Sequence, residues 1–116
     1  MATQELRDSH CKPCKKGDPS LGAEQAAEYL PELHPDWVLE DNATAISRNF
    51  NFDNYYQTIA FVNALAWVAH TEDHHPDLEV GYNRCRVRYS THSVGGLSTN
   101  DFICAAKIDA LLTKVV

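Results

Sequence analysis

The stretch Ala69-His-Thr-Glu-Asp-His-His-Pro-Asp-Leu-Glu-Val-Gly-Tyr82 contains the change of period on which the fold turns. Up to Asp73 the apolar residues recur at the three- and four-residue spacing of a helix. After Pro76, Leu78, Val80 and Tyr82 alternate with polar neighbours, which is the period of a half-buried strand. Proline disfavours helical geometry in the residue before it, so the helix is expected to stop at His75. His70, His74 and His75 therefore stand where a helix hands over to a strand.

Upstream, the helix is expected to run from Asn54 to Asp73, with Asp53 as N-cap and Phe52 as a hydrophobic staple. Ile59, Val62 and Ala66 share one face, Phe61, Leu65 and Val68 a neighbouring one, and Trp67 widens the arc. So broad an apolar arc implies packing on a sheet and also against the last helix or another subunit. Before this helix, Trp37–Glu40 and Thr44–Phe52 read as two strands turned by Asp41-Asn42. Ile46, Arg48, Phe50 and Phe52 form the inward row, with Arg48 as its polar exception. Ala23–Leu30 contains good helix formers, and Pro31 ends or kinks that helix.

Downstream, Leu78–Tyr82 and Val87–Tyr89 form an expected hairpin around Asn83-Arg84, offering Leu78, Val80, Tyr82, Val87 and Tyr89 to the core. Thr91–Ser93 and Gly95-Gly96 form a loop. Ser98-Thr-Asn-Asp101 has capping-box spacing for a final helix. Cys104, Ile108, Leu111, Leu112 and Val115 give that helix one apolar stripe. The order α-β-β-α-β-β-α predicts a single α+β domain, a four-stranded antiparallel sheet with helices packed on one face. The domain spans residues 21–116, and the polar residues 1–20 form a mobile tail carrying a CxxC.

Composition narrows the function. The chain has 116 residues, a net charge of −6 and an apolar share of 44%, enough for one core. No Lys/Arg stripe offers phosphate contacts, which argues against nucleic acid as a partner. No apolar run approaches a membrane span and no signal-peptide pattern opens the chain, so a soluble, cytoplasmic protein is expected. Cys11 and Cys14, beside His10, lack a second CxxC to complete a zinc site and lack the strand and helix that flank a redox motif. They read either as an exposed reduced pair or as a pair in metal or redox use.

Four of the six histidines, His70, His74, His75 and His92, fall in two short segments. On a helix, His70 and His74 share a face. The hairpin after Pro76 returns the end of its second strand beside the start of its first, which brings His92 near His74 and His75. Three readings follow: structural coincidence, a histidine-based metal site, or general acid/base catalysis by imidazoles that titrate near neutrality. HxxxHH is not the HExxH of zinc proteases, because Glu72 falls at the wrong position.

His70, His74-His75-Pro76, Tyr82, His92 and Asp101 stand at the spacing of the pterin-4a-carbinolamine dehydratase signature, and the chain resembles that family from about Leu21 to its C-terminus. Leu30-Pro31, Trp37 and Gly96-Leu97-Ser98 belong to the same resemblance. It implies an α+β fold and the dehydration of a 4a-hydroxytetrahydropterin to the quinonoid dihydropterin, recycling the pterin of aromatic amino-acid hydroxylases without metal or other cofactor. It further implies His74, His75 and His92 as catalytic histidines, Asp101 as the signature's acidic residue, and Pro76, Thr91 and Ser93 as pterin-lining positions. Asp101 reads equally as the capping carboxylate of the last helix. A homo-oligomer, dimer or tetramer, is expected. Some family members also act as dimerisation partners of a transcription factor, which leaves a binding module as the alternative. The sequence departs from the pattern at His70, where the family often has an acid, and at Leu78, where it often has an aromatic.

Overall fold

A computed structural model describes residues 6–112. Helix α1 spans Ala23–Tyr29 and runs into a 3-10 turn at Leu30–Glu32, where Pro31 removes a backbone donor. Strands β1 (Val38–Glu40) and β2 (Ala45–Asn51) precede helix α2 (Tyr55–Glu72). Strands β3 (Asp77–Val80) and β4 (Arg84–Tyr89) follow, then a 3-10 turn at His92–Val94 and helix α3 (Thr99–Leu111). All pairings are antiparallel in the order β1-β2-β4-β3, the α+β arrangement expected from the sequence. No helix among the described residues is long and apolar enough to cross a membrane.

The register explains the core. Ile46 pairs with Tyr89, Arg48 with Val87 and Phe50 with Cys85, so these residues share the face that the helices cover. Ile46, Phe50, Cys85, Val87 and Tyr89 are buried there with Trp37, Phe61, Leu65 and Phe102. Phe61 joins α2 to the sheet, its ring 4.5 Å from that of Phe50 and 5.2 Å from that of Phe52. Arg48, the exception in the inward row, bonds Asp109 of α3 at 2.7 Å and lays its guanidinium 4.1 Å from the Phe50 ring centroid. Its position is thus satisfied by a carboxylate reaching over from a helix.

Several local expectations are corrected. The N-cap of α2 is Asn54, not Asp53: the Asn54 side chain accepts from the Gln57 amide at 2.9 Å, and Asp53 lies one residue too early for that bond. The helix stops at Glu72, and Asp73 adopts a left-handed conformation with φ 53°. Val80 and Tyr82 are exposed rather than core residues, because β3 is an edge strand. Leu111 and Leu112 are likewise exposed, whereas most of the first ten residues of α3 are buried. Val115 lies outside the described residues. The link between β1 and β2 is wider than a two-residue turn, with Asp41, Asn42 and Ala43 all at positive φ.

The beginning of the described chain, expected as part of a mobile tail, packs on the domain. Leu6 is buried, and the Lys107 ammonium donates to the Arg7 carbonyl at 2.7 Å. The Cys11 amide donates to Glu72 of α2 at 2.8 Å, and Asn100 of α3 exchanges two hydrogen bonds with the Lys12 backbone. Burial alone would raise the Glu72 pKa, but the Cys11 amide, His10 and Lys107 outweigh it and hold the carboxyl below its ordinary value.

Candidate active site

The end of α2 aims the first histidine. With Asp73 left-handed, its amide bonds the His70 carbonyl and the His74 amide bonds that of Ala69, the double closure of a Schellman turn. Aspartate tolerates this conformation better than most side chains. The chain therefore leaves α2 sharply, and the His74 ring swings onto the core, stacked on Tyr89 with centroids 5.2 Å apart.

There His74 meets Asp101. Its Nε2 lies 2.6 Å from Asp101 Oδ1, with the carboxylate fully buried and the imidazole 13% exposed. The second carboxylate oxygen accepts from the Thr91 hydroxyl at 2.8 Å and from the Ser98 amide at 2.9 Å. Because the Thr91 proton goes to Asp101, the 2.7 Å contact between the Thr91 and Ser98 hydroxyls is donated by Ser98. Asp101 thus caps α3 and holds His74 at once, one role on each oxygen. Burial works to lower the imidazole's pKa, but the hydrogen bond and charge of Asp101 outweigh it and raise the pKa above its ordinary value. His74 Nδ1 is the nitrogen that Asp101 leaves unengaged.

His75 points the other way, exposed, with Nδ1 3.2 Å from the Pro76 carbonyl. Pairing of Asp77 with Arg88 returns the end of β4 to this junction, and His92 stands exposed in the turn that follows. His74, His75 and His92 consequently line one cleft of about 590 Å³ with Arg88, Thr91 and Ser93. Thr91 is buried at its base. Pro76 lies on an adjoining groove of about 400 Å³ with His70 and Leu78. A third hollow, of about 440 Å³, runs from His74, Thr91 and Ser93 to Cys11 and Cys14.

The seven residues implied as catalytic or pterin-lining thus lie around His74, whereas Tyr82 lines none of these hollows. His70 lies a turn away on α2, its ring 5.7 Å from that of Trp67. Among the described residues no three His, Cys, Asp or Glu side chains are grouped so as to hold a metal ion. Sequence reasoning missed Tyr89 as the platform for His74, Ser98 as the second anchor of Asp101, and the wall built by Cys11–Cys14. Tyr89 carried only a core signal, and the Cys11–Cys14 segment has no period to read.

The fold is shared with known proteins. The family model for pterin 4 alpha carbinolamine dehydratase matches residues 19–111, and the chain belongs to that family. Relatives bearing the family's name include one from Nitrosomonas eutropha, 62% identical over 93% of this chain and 94% of its own length. Another, from Legionella pneumophila, is 52% identical over 95% of this chain and 97% of its own. A crystal structure of a transcriptional coactivator/pterin dehydratase from Brucella melitensis matches with a TM-score of 0.76 and 32% identity, covering 81% of this chain and 99% of that one.

Proposed function

We propose that this chain removes water from a 4a-hydroxytetrahydropterin, using His74, His75 and His92 as its acid/base groups. The observation that carries the reading is the hold of Asp101 on His74 at the rim of a cleft that also contains His75 and His92. Dehydration breaks the C4a–O bond, takes the proton from N5 and forms the C4a–N5 double bond, so the products are quinonoid dihydropterin and water. An acid is needed at the departing oxygen and a base at N5–H, and positioned imidazoles contribute about 10²–10⁴-fold to such steps.

His74 is assigned to the ring nitrogen. Asp101 stabilises its imidazolium, so a proton taken at Nδ1 finds a charge-matched partner already bonded at Nε2. His75 and His92, both exposed to the cleft, flank the C4a hydroxyl. Pro76, Thr91 and Ser93 line the pterin, and Asp101 acts as a positioning residue. The product, once reduced by two electrons in a separate step, is again the tetrahydropterin cofactor of an aromatic amino-acid hydroxylase.

A stopped-flow assay of carbinolamine decay tests the reading. Acceleration over the uncatalysed dehydration is expected, and its absence would defeat it. Replacing His74, His75 or His92 by alanine should each lower turnover at least about tenfold, with non-additive losses for pairs. His70→Ala should matter less. A crippled His70→Ala beside an intact His92→Ala would show the site to be elsewhere.

The chain is further proposed to work as a homo-oligomer. Tyr56 is 81% and Trp67 69% exposed on α2, large rings that a second copy would cover. Light scattering that gave a monomer mass at all working concentrations would remove this proposal. The coactivator role in the Brucella protein's description favours a second reading, a protein-binding module, which would appear as partner binding unaffected by His92→Ala.

A further inference from the structure

Cys11 and Cys104 stand 93 positions apart in sequence, yet their sulfurs approach to 3.5 Å. Three features hold them there. The Cys11 amide is fastened to Glu72, the Lys12 backbone is fastened on both sides by Asn100, and Cys104 lies one turn beyond Asp101 on α3. Both are free thiols. Cys104 is fully buried, whereas Cys11 is partly exposed and lines the hollow that reaches His74. Cys14 lines the same hollow, its sulfur accepting from the Asn100 side chain at 3.4 Å.

We propose that Cys11 and Cys104 are the two halves of a reversible disulfide site that takes its oxidising equivalents from small-molecule disulfides. Forming the bond closes the sulfurs from 3.5 Å to about 2.0 Å. A disulfide RSSR entering the hollow is attacked by the Cys11 sulfur, which forms a Cys11–S–SR bond and expels one RSH. Cys104 then attacks the Cys11 sulfur, breaking that mixed disulfide and expelling the second RSH. Two protein thiols are oxidised, RSSR is reduced to two RSH, and the two protons leave with the departing thiols.

The two thiols divide the proton between them. The bond to Cys104, then burial, push the Cys11 thiol up, while that same bond and the charge of His74 outweigh burial and pull Cys104 below the ordinary thiol range. Cys104 is therefore the base placed to take the Cys11 proton as Cys11 attacks, and that proton leaves with the first RSH. The linkage would tie the N-terminal segment to α3 beneath the His74 backbone, whose carbonyl already takes a long contact of 3.9 Å from the Cys104 thiol. Cys85, buried in the sheet, has burial pushing its pKa up to about 11 and takes no part.

The test uses the reduced full chain, incubated anaerobically with oxidised glutathione, then alkylated and mapped by mass spectrometry. A Cys11–Cys104 cross-linked peptide is expected, reverting to two thiols with dithiothreitol. Cys14→Ser should retain it, while Cys11→Ser and Cys104→Ala should each abolish it. The cross-link closes a long loop, so the oxidised protein should melt at least about 5 °C higher than the reduced one. Should the Cys104→Ala chain fail to fold, Cys11→Ser and the wild-type peptide map decide the matter. A Cys11–Cys14 disulfide, a lasting glutathione adduct on Cys11, or two cysteines that both stay open to alkylation would each overturn the proposal.

Discussion

Asp101 and Asp109 sit about two turns apart on one helix, and each gathers donors from distant parts of the chain. Asp109 accepts from Arg48, from the Trp37 indole and from the His34 amide. Asp101 accepts from His74, from Thr91 and from the Ser98 amide. Both are largely removed from water, at 12% and 0% side-chain exposure. The difference lies in the partner. Arginine keeps its charge at any working pH and its head group is taken up by Asp109 and Phe50, so that carboxylate can only brace the fold. Histidine changes charge near neutrality and keeps a second ring nitrogen for the cleft. The same device, a carboxylate on α3 gathering distant donors, thus holds a fixed charge at one end of the molecule and a titratable imidazole at the other.

The comparison is broken most forcefully by substitution at Asp101. Asp101→Asn should lower kcat by about 10²-fold or more, since the positioned imidazole loses its counter-charge. Its acid limb in the pH profile should move to lower pH, because the interaction that raises the His74 pKa is gone. Unchanged turnover would reduce Asp101 to a helix cap.

At the other end, Asp109→Ala should cost about 3 kcal/mol in denaturant unfolding, since it strands the Arg48 guanidinium among apolar neighbours. Turnover per folded molecule should stay within about twofold. A loss of activity equal to that of Asp101→Asn would erase the distinction between the two carboxylates.

The smallest effect sharpens the contrast through pH. A group whose folded pKa is raised stabilises fully below its unfolded value, here the ordinary 6.5, and that contribution fades as pH rises through the folded value. Urea melts of the wild type should therefore show a stability component that declines on the alkaline side of 6.5, absent from His74→Gln. The Asp109→Ala penalty should stay flat across the same range, because arginine does not titrate there. A penalty at Asp109 that faded with pH would contradict this.

Much of this contrast was legible in the residues and some was not. Period located both long helices, period with turn residues located the two hairpins but not the β2–β4 pairing that joins them, and a hairpin after Pro76 was enough to bring His92 to His74 and His75. Ser98 and Asp101 announced a cap by spacing, but no local signal says that the free oxygen of a cap will take an imidazole from another element. Arg48 was visible as an exception in an apolar row, and its partner was not, since Asp109 lies 61 positions away. The segment from Leu6 to Cys14 reads as a tail because it has no apolar period, and several of the contacts that fix it run through backbone groups, which composition does not reveal. Val80 and Tyr82 alternate correctly for a strand, yet alternation cannot tell which strand becomes the edge.

The double use of Asp101 also makes the site audible without substrate. The Ser98 amide is bonded to the same oxygen that takes the Thr91 hydroxyl, one atom away from the His74 contact. Solvent deuterium can reach that amide only when the start of α3 opens, and such an opening releases the imidazole in the same event. The exchange rate at Ser98 is therefore a clock for how often the resting protein releases His74 from Asp101.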